Sequence, residues 1–475
     1  YNKASYIVNA TVEDCRKWNA AINLRSEYNE HLSLQTGLQL QTQKNHNYLR
    51  IEDMLGGGYW ENINQFAART FGGIIQDADK LNVLDQDIKR YEGDTYGYNY
   101  DIHFSKAALF GQGVVTYNKI DFFLAAELGY SSFFRNGYYQ SGLYTTNSFG
   151  ESEHKRFFTP KAKGGLTLKL NGRNYIYANG SFGNRAPYVD NVIISPRTRN
   201  EMITDAQVEK FGTAEVGYLL RTPRLRARLT FFATDIKDAC DIRRFYRDDD
   251  YSFVSMAMQG IDKRYTGMEL GAEVKVSPSV TASLATSLSQ AFYTSRPVIT
   301  MYSDNEIGAI NSTVSGMQEL VYMQNYYIPS GPQSAAQVSV NYRSPRFWYG
   351  TVSCNFMGRN WMDFAPTART QDGSDNLVYG SEAWHQAIDQ KKLPAASTLD
   401  LNLGKSFKVD KYVKQATSQT LLLVNIGINN LLNNRNIRLY GFENLRVNNE
   451  HPEWFASKSA YALGTTYFIN LSLRF

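Results

Sequence analysis

The chain has 475 residues, a net charge of +5, 43% hydrophobic residues and a negative mean hydropathy. No run approaches the roughly 20 apolar residues of a spanning helix, so a helical membrane protein is excluded. The mild, dispersed charge gives no footprint for nucleic acid, and three scattered cysteines suggest neither a disulfide framework nor a metal site.

Taken in chain order, the apolar residues recur with period two. Trp18, Ala20, Ile22 and Leu24 alternate with Asn19, Ala21, Asn23 and Arg25. Leu32, Leu34, Leu38 and Leu40 alternate with Ser33, Gln35, Gln39 and Gln41. Leu225, Ala227, Leu229 and Phe231 alternate with Arg224, Arg226, Arg228 and Thr230, and Met268, Leu270, Ala272 and Val274 with Glu269, Gly271 and Glu273. Val338 and Val340, then Leu399, Leu401 and Leu403, continue the pattern. The terminal strand, from Leu463, sets Tyr467, Ile469, Leu471, Leu473 and Phe475 against Phe468, Asn470, Ser472 and Arg474. Many segments run to about ten residues or more, the length of a tilted membrane-crossing strand rather than a typical soluble one. The excess of Tyr (33) and Phe (26) suits aromatic girdles at the two interfaces.

The joints alternate in length. Short ones fall at residues 28–31, 118–119, 171–172, 222–223, 277–279 and 344–346, where Asn, Gly, Pro and Ser favour tight turns. Long ones fall at roughly 44–104, 137–156, 187–207, 238–264, 295–333, 363–396 and 442–458. Short turns on one side and long loops on the other describe an all-β, antiparallel transmembrane barrel. About sixteen strands are expected, an even number that returns the N-terminal end to the short-turn side.

Four segments carry a more specific likeness. Arg185-Ala186-Pro187 follows a strand; Glu215 and Gly217 lie on the next; Gly267 and Glu269 on a later one; Asn430 and Asn433 close the penultimate strand, before the terminal Phe475. This succession resembles the TonB-dependent outer-membrane receptors, convincingly over residues 100–475 and by pattern alone before that. The stretch Ser195 to Asn200 is closest to the branch that often carries a carboxypeptidase-like regulatory domain. The resemblance implies a 22-strand barrel, so the plug domain and about six strands are expected outside this chain, whose 1–475 read as barrel throughout. It implies energised uptake of a bulky, scarce solute from the outer membrane, with the inner-membrane TonB complex as partner through a plug segment. Membrane lipid and a surface lipoprotein are further expected partners. The alternatives are a self-contained sixteen-stranded porin and a scaffolding barrel bound to a lipoprotein.

No catalytic, cofactor or metal constellation emerges from the six dispersed histidines, so no enzyme is expected. Asp248 to Asp250 and the run Asp372 to Asn376 read as turn formers rather than calcium loops. Aromatic rings in the long loops are the candidate ligand contacts: Tyr322, Tyr326, Tyr327, Trp361, Trp384 and Trp454. Arg224, Arg226 and Arg228 are expected to face the lumen, with Glu269 and Glu273 answering them from across it.

Overall fold

The computed structural model describes residues 2–247, 252–305, 319–329, 331–375, 377–409, 420–446 and 452–474. Phe475, Asp248 to Asp250 and Asn376 lie outside them. The main element is an 18-stranded antiparallel sheet. Three of its members are short: Gly150–Glu151, Val298–Ser303 and Glu319–Leu320. The other fifteen are the long strands β1 (Val8–Glu27), β2 (Leu32–Asp53), β3 (Thr95–Thr116), β4 (Ile120–Gly137) and β5 (Lys155–Lys169). They continue as β6 (Asn174–Arg185), β7 (Glu209–Arg221), β8 (Leu225–Arg247), β9 (Ser252–Lys275) and β10 (Val280–Tyr293). The last five are β11 (Ser334–Arg343), β12 (Trp348–Gly358), β13 (Ala396–Lys408), β14 (Leu421–Asn429) and β15 (Thr466–Arg474). Each pairs with its neighbour in sequence, an up-and-down meander.

All six anticipated short turns are present, and side chains close several of them. Asn29 Oδ1 accepts from the His31 and Leu32 amides, and Asn171 Oδ1 from those of Arg173 and Asn174. The Ser277 hydroxyl does the same for Ser279 and Val280. These polar loops substitute a side-chain acceptor for the missing ladder partner.

Register fixes the faces. Leu24, Ile22, Ala20 and Trp18 on β1 stand opposite Thr36, Leu38, Leu40 and Thr42 on β2, and the row continues through Leu109 and Ala107 to Leu128 and Tyr130. These side chains point outward, where a soluble protein would expose only scattered apolar groups; Leu124 is 67% exposed and Ile22 63%. The opposite face carries polar ladders: Lys161 Nζ to Glu127 at 2.7 Å, Asn179 to Glu215 at 2.6 Å, and Gln337 to Asn355 to Asp400 at 2.8 and 2.7 Å. Lipid outside and a polar lumen inside is the arrangement that satisfies both faces.

Two expectations are corrected. Among the described residues the long strands number fifteen, where about sixteen were expected, and the first begins at the long-loop end, where Val8 pairs with Asp53. β1 and β15 therefore run in the same direction, and no ladder joins them among the described residues. An antiparallel closure of these two edges requires an odd number of further strands between them. Second, residues 238–264 are mostly strand. β8 and β9 extend far past the apolar rows, and Cys240, Ile242, Val254, Met256, Ala257 and Met258 are all buried there. Covered on both faces, this hairpin has no alternation to read.

The buried core thus sits above the lipid-facing rows. One cluster unites Val254, Met256 and Met258 of β9 with Ile299, Met301, Val321, Met323 and Phe364. Another joins Phe133 and Phe157 to Val192, Ile194 and Ile203 of the segment after β6. The long loops form a packed cap rather than a set of independent arms.

Candidate functional site

Buried arginines hold the cap together. Arg199 is fully buried; its Nε lies 2.5 Å from Glu201 Oε2, and Nη1 donates to the Tyr144 hydroxyl at 2.7 Å and the Ser303 carbonyl at 3.1 Å. Arg135 at the outer end of β4 donates to the Pro196 and Ser148 carbonyls at 2.7 and 2.9 Å and also bonds Asn200. The segment 195–200 is therefore pinned from both sides. Such charges stay buried only because nearly every donor finds an acceptor.

Below the pinned segment a cavity of about 300 Å³ opens on the inner face. Gln41, Gln43, Asn45 and Asn47 of β2 form one wall, Tyr100, Ile102 and Phe104 of β3 another, and Asp190, Ile193 and Pro196 the roof. Glu13 of β1 completes it. Amides can donate to and accept from hydroxyl and amide groups, while Tyr100 and Phe104 offer flat apolar surface. The wall offers binding chemistry: no nucleophile–base pair lines it. Among the described residues no group of three His, Cys, Asp or Glu is placed to hold a metal. The amide row is hidden from a sequence reading that starts the long loop at residue 44. Extending the alternation of Gln35, Gln39 and Gln41 to Asn47 would have exposed it.

The motif residues occupy structural positions. Arg185 pairs with Glu209 across the β6–β7 ladder, its Nε at 2.9 Å from Oε2, and its guanidinium covers the Tyr188 ring. Ala186 packs on the second cluster and Pro187 is buried beside it. Glu215 accepts from Asn179, and Gly217 leaves room for the Tyr177 ring. At Gly267 an added Cβ would sit 2.7 Å from the Leu288 carbonyl oxygen. Asn430 and Asn433 both adopt φ of +52°; the Asn430 amide N–H donates to Asp400 and its side chain bonds Asn434, turning the chain out of β14. Phe475 is outside the described residues.

Of the six loop aromatics, three converge. Tyr327 stacks on Trp361 at 4.4 Å with 8° between planes, while Tyr326 meets Phe364 edge-on at 5.0 Å and donates to the Ile388 carbonyl. Those rings spend much of their surface on each other. Tyr322 and Trp454 are exposed, and Trp384 contacts Tyr379 and His385.

Arg226 and Arg228 lie on the face of β8 opposite its outward row of Leu225, Ala227, Leu229 and Phe231, and Arg224 lies in the turn before them. Glu273 and Glu269 are not across the lumen: β9 is the adjacent strand, with Glu273 opposite Arg226 and Glu269 opposite Thr230. Neither glutamate forms an ion pair with the arginine row among the described residues; Arg228 instead donates to Tyr177 and Thr230.

A family model described as "TonB dependent receptor-like, beta-barrel" matches residues 3–431. The chain belongs to the TonB-dependent receptor family. It is an outer-membrane chain of that family, and the match reaches well before residue 100, a stretch that resembles the family by pattern alone. Solved structures agree in fold: the copper transporter OprC superposes with a TM-score of 0.59 at 13% identity over 98% of this chain and 56% of that one. The ferric-catecholate import receptor Fiu from K12 E. coli gives 0.56 at 14% identity, covering 98% and 55%. The siderophore receptor PiuA from Acinetobacter baumannii gives 0.58 at 12% identity, covering 97% and 56%. The chain thus spans little more than half the length of these receptors. No curated protein sequence matches it.

Proposed function

We propose that this chain is the larger sector of a TonB-dependent transporter barrel that imports a bulky, scarce solute, and that it performs no chemistry on that solute. The observation that carries the reading is the family match over residues 3–431 on a sheet whose two edges run in parallel directions. A sixteen-stranded passive porin is disfavoured by the same edges, since bacterial single-chain barrels close with even numbers of antiparallel strands. Further strands and a plug belong to the remainder of such a receptor, and the plug is the part on which an inner-membrane TonB complex pulls. Solute enters through the cap, whose exposed Tyr322 and Trp454 and half-buried Trp384 offer first contacts. It then meets the amide wall of Gln41, Gln43, Asn45 and Asn47, which favours a ligand rich in hydroxyl or amide groups.

The test is solute depletion from medium by cells with and without the gene, in the presence and absence of a proton-gradient uncoupler. Energised import requires a solute whose depletion needs both the gene and the gradient. Gene-dependent depletion that the uncoupler leaves intact would instead establish passive diffusion.

A further inference from the structure

The outward face of β1 to β4 carries a groove of about 340 Å³ that the transport reading does not use. Trp18 and Tyr130 stand at its two sides, and Ala20, Thr42, Ser105 and Ala107 form a floor of small side chains. Register places all of these on the lipid side, at the top of the apolar rows. One step further out, Arg16, Lys44, His103 and Phe134 form a transverse row directly above the groove. Arg156 lies in the groove's own row, opposite Ser132.

The charges of this sector differ from those elsewhere on the same face. On β7 to β9 the outward cations at the upper boundary are neutralised by a neighbouring strand: Lys210 by Asp238 at 2.8 Å, and Arg264 by Asp235 at 2.6 Å. Above the groove, Lys44 is likewise held by the buried Asp101 at 2.6 Å, and His154 lies 3.0 Å from Glu151. Arg16 and Arg156 are exposed and make no ion pair among the described residues. The carboxylate of Asp14 stands one step beyond Arg16, outside the level of the groove. Two uncompensated guanidiniums therefore flank an apolar slot where the membrane interior gives way to headgroups. Four strand spacings separate β1 from β5, about 19 Å.

We propose that this groove is a binding site for a phosphate-bearing acyl lipid of the outer leaflet. One acyl chain lies on the small-residue floor between Trp18 and Tyr130, and a phosphate sits on Arg16. Arg156 takes a second anionic group, so the site fits a broad, multiply acylated and multiply phosphorylated headgroup. Guanidinium forks match phosphate oxygens, and aromatic rings at the interface bracket the chain. The proposal rests on the outer-membrane reading of this face but not on energised uptake.

The whole receptor, purified and placed in nanodiscs, is challenged with a bisphosphorylated multi-acyl lipid, its dephosphorylated form and a two-chain anionic phospholipid, and retained lipid is counted by native mass spectrometry. The bisphosphorylated lipid should be retained selectively. Arg16→Gln with Arg156→Gln should lower its retention by about 10- to 30-fold. Ala107→Phe, which fills the slot without touching a charge, should also lower it, and Lys210→Gln should not. Equal retention of the dephosphorylated lipid, or a double arginine variant that retains lipid as the parent does, would overturn the proposal. Heat-modifiable gel mobility shows on the same samples that each variant is folded, and uncoupler-sensitive uptake is scored separately.

Discussion

The Tyr177 ring lies flat over Gly217 on the adjacent strand and its hydroxyl reaches Thr230, 2.6 Å away, on the strand beyond. Arg228 closes the group, donating from Nε to the Tyr177 hydroxyl at 3.0 Å. Tyr177, Gly217 and Thr230 are in direct register, so the glycine is the saddle that lets one ring span three strands. The arrangement recurs where Tyr349 crosses Gly404 to bond Asn425, and Phe468 covers Gly427. Inner-face glycines of these strands are sites of ring passage rather than weak points.

A methyl at Gly217 would fall 2.3 Å from Cζ of Tyr177, well inside van der Waals contact. Gly217→Ala should therefore destabilise the folded barrel by about 1–3 kcal/mol, the usual cost of overpacking. In a Tyr177→Ala background the same change should cost little. Urea unfolding of the four proteins in lipid vesicles measures the coupling; strictly additive effects would show that the ring and the glycine do not share space.

Inside and outside should respond oppositely to charge. Leu128 points to lipid and is 53% exposed, so Leu128→Lys near the middle of β4 should cost about 2–4 kcal/mol. Gln112, on the inner face of neighbouring β3, should accept lysine with little loss. Comparable penalties at both positions would mean the faces are wrongly assigned.

These faces, the six short turns and the terminal strand were legible in the sequence because each depends on local chemistry, a period of two or a turn residue at its own position. What was not legible depends on partners. Whether Glu273 meets Arg226 is a matter of register between strands, and the extension of β8 and β9 is invisible because the cap covers both faces of Ile242, Val254 and Met256. The convergence of Tyr326, Tyr327 and Trp361 joins three separate loop segments that no spacing connects. The odd strand number follows only from counting ladders.

Arg369 ties those segments together. It is fully buried and holds Glu443 through its two terminal nitrogens, Nη1 and Nη2, donates to the Ala365 and Ile388 carbonyls, and lies over Tyr326 and Phe364. Arg369→Met strands a buried carboxylate and should cost the cap about 3–5 kcal/mol of local stability, whereas Arg369→Met with Glu443→Leu should recover most of it. Hydrogen exchange over 363–393 and 438–446 reads this out while barrel gel mobility stays unchanged. Equal exchange in the single and double variants would contradict it.

Glu319 gives the cap a pH dependence. Burial, then hydrogen bonding to Asp372 and its charge, raise the Glu319 carboxyl from 4.5 to about 7. The folded cap retains a proton that the opened form releases, so local stability should fall as pH rises from about 4.5 to 7 and level off above. Glu319→Gln should flatten that slope in hydrogen exchange of residues 319–329. A slope unchanged by the substitution would place its origin elsewhere.

The relation between the two sheet edges tests the central claim most directly. In the outer membrane, with Cys15 and Cys354 replaced by serine, a cysteine at Ile22 should oxidise readily to one at Leu38, its partner in the β1–β2 ladder. The incomplete-barrel account requires that Ile22→Cys fail to couple to Ile469→Cys, because further strands stand between β1 and β15. Efficient disulfide formation between those two positions would mean that fifteen strands close on themselves through a parallel seam, and the receptor-sector reading would fall.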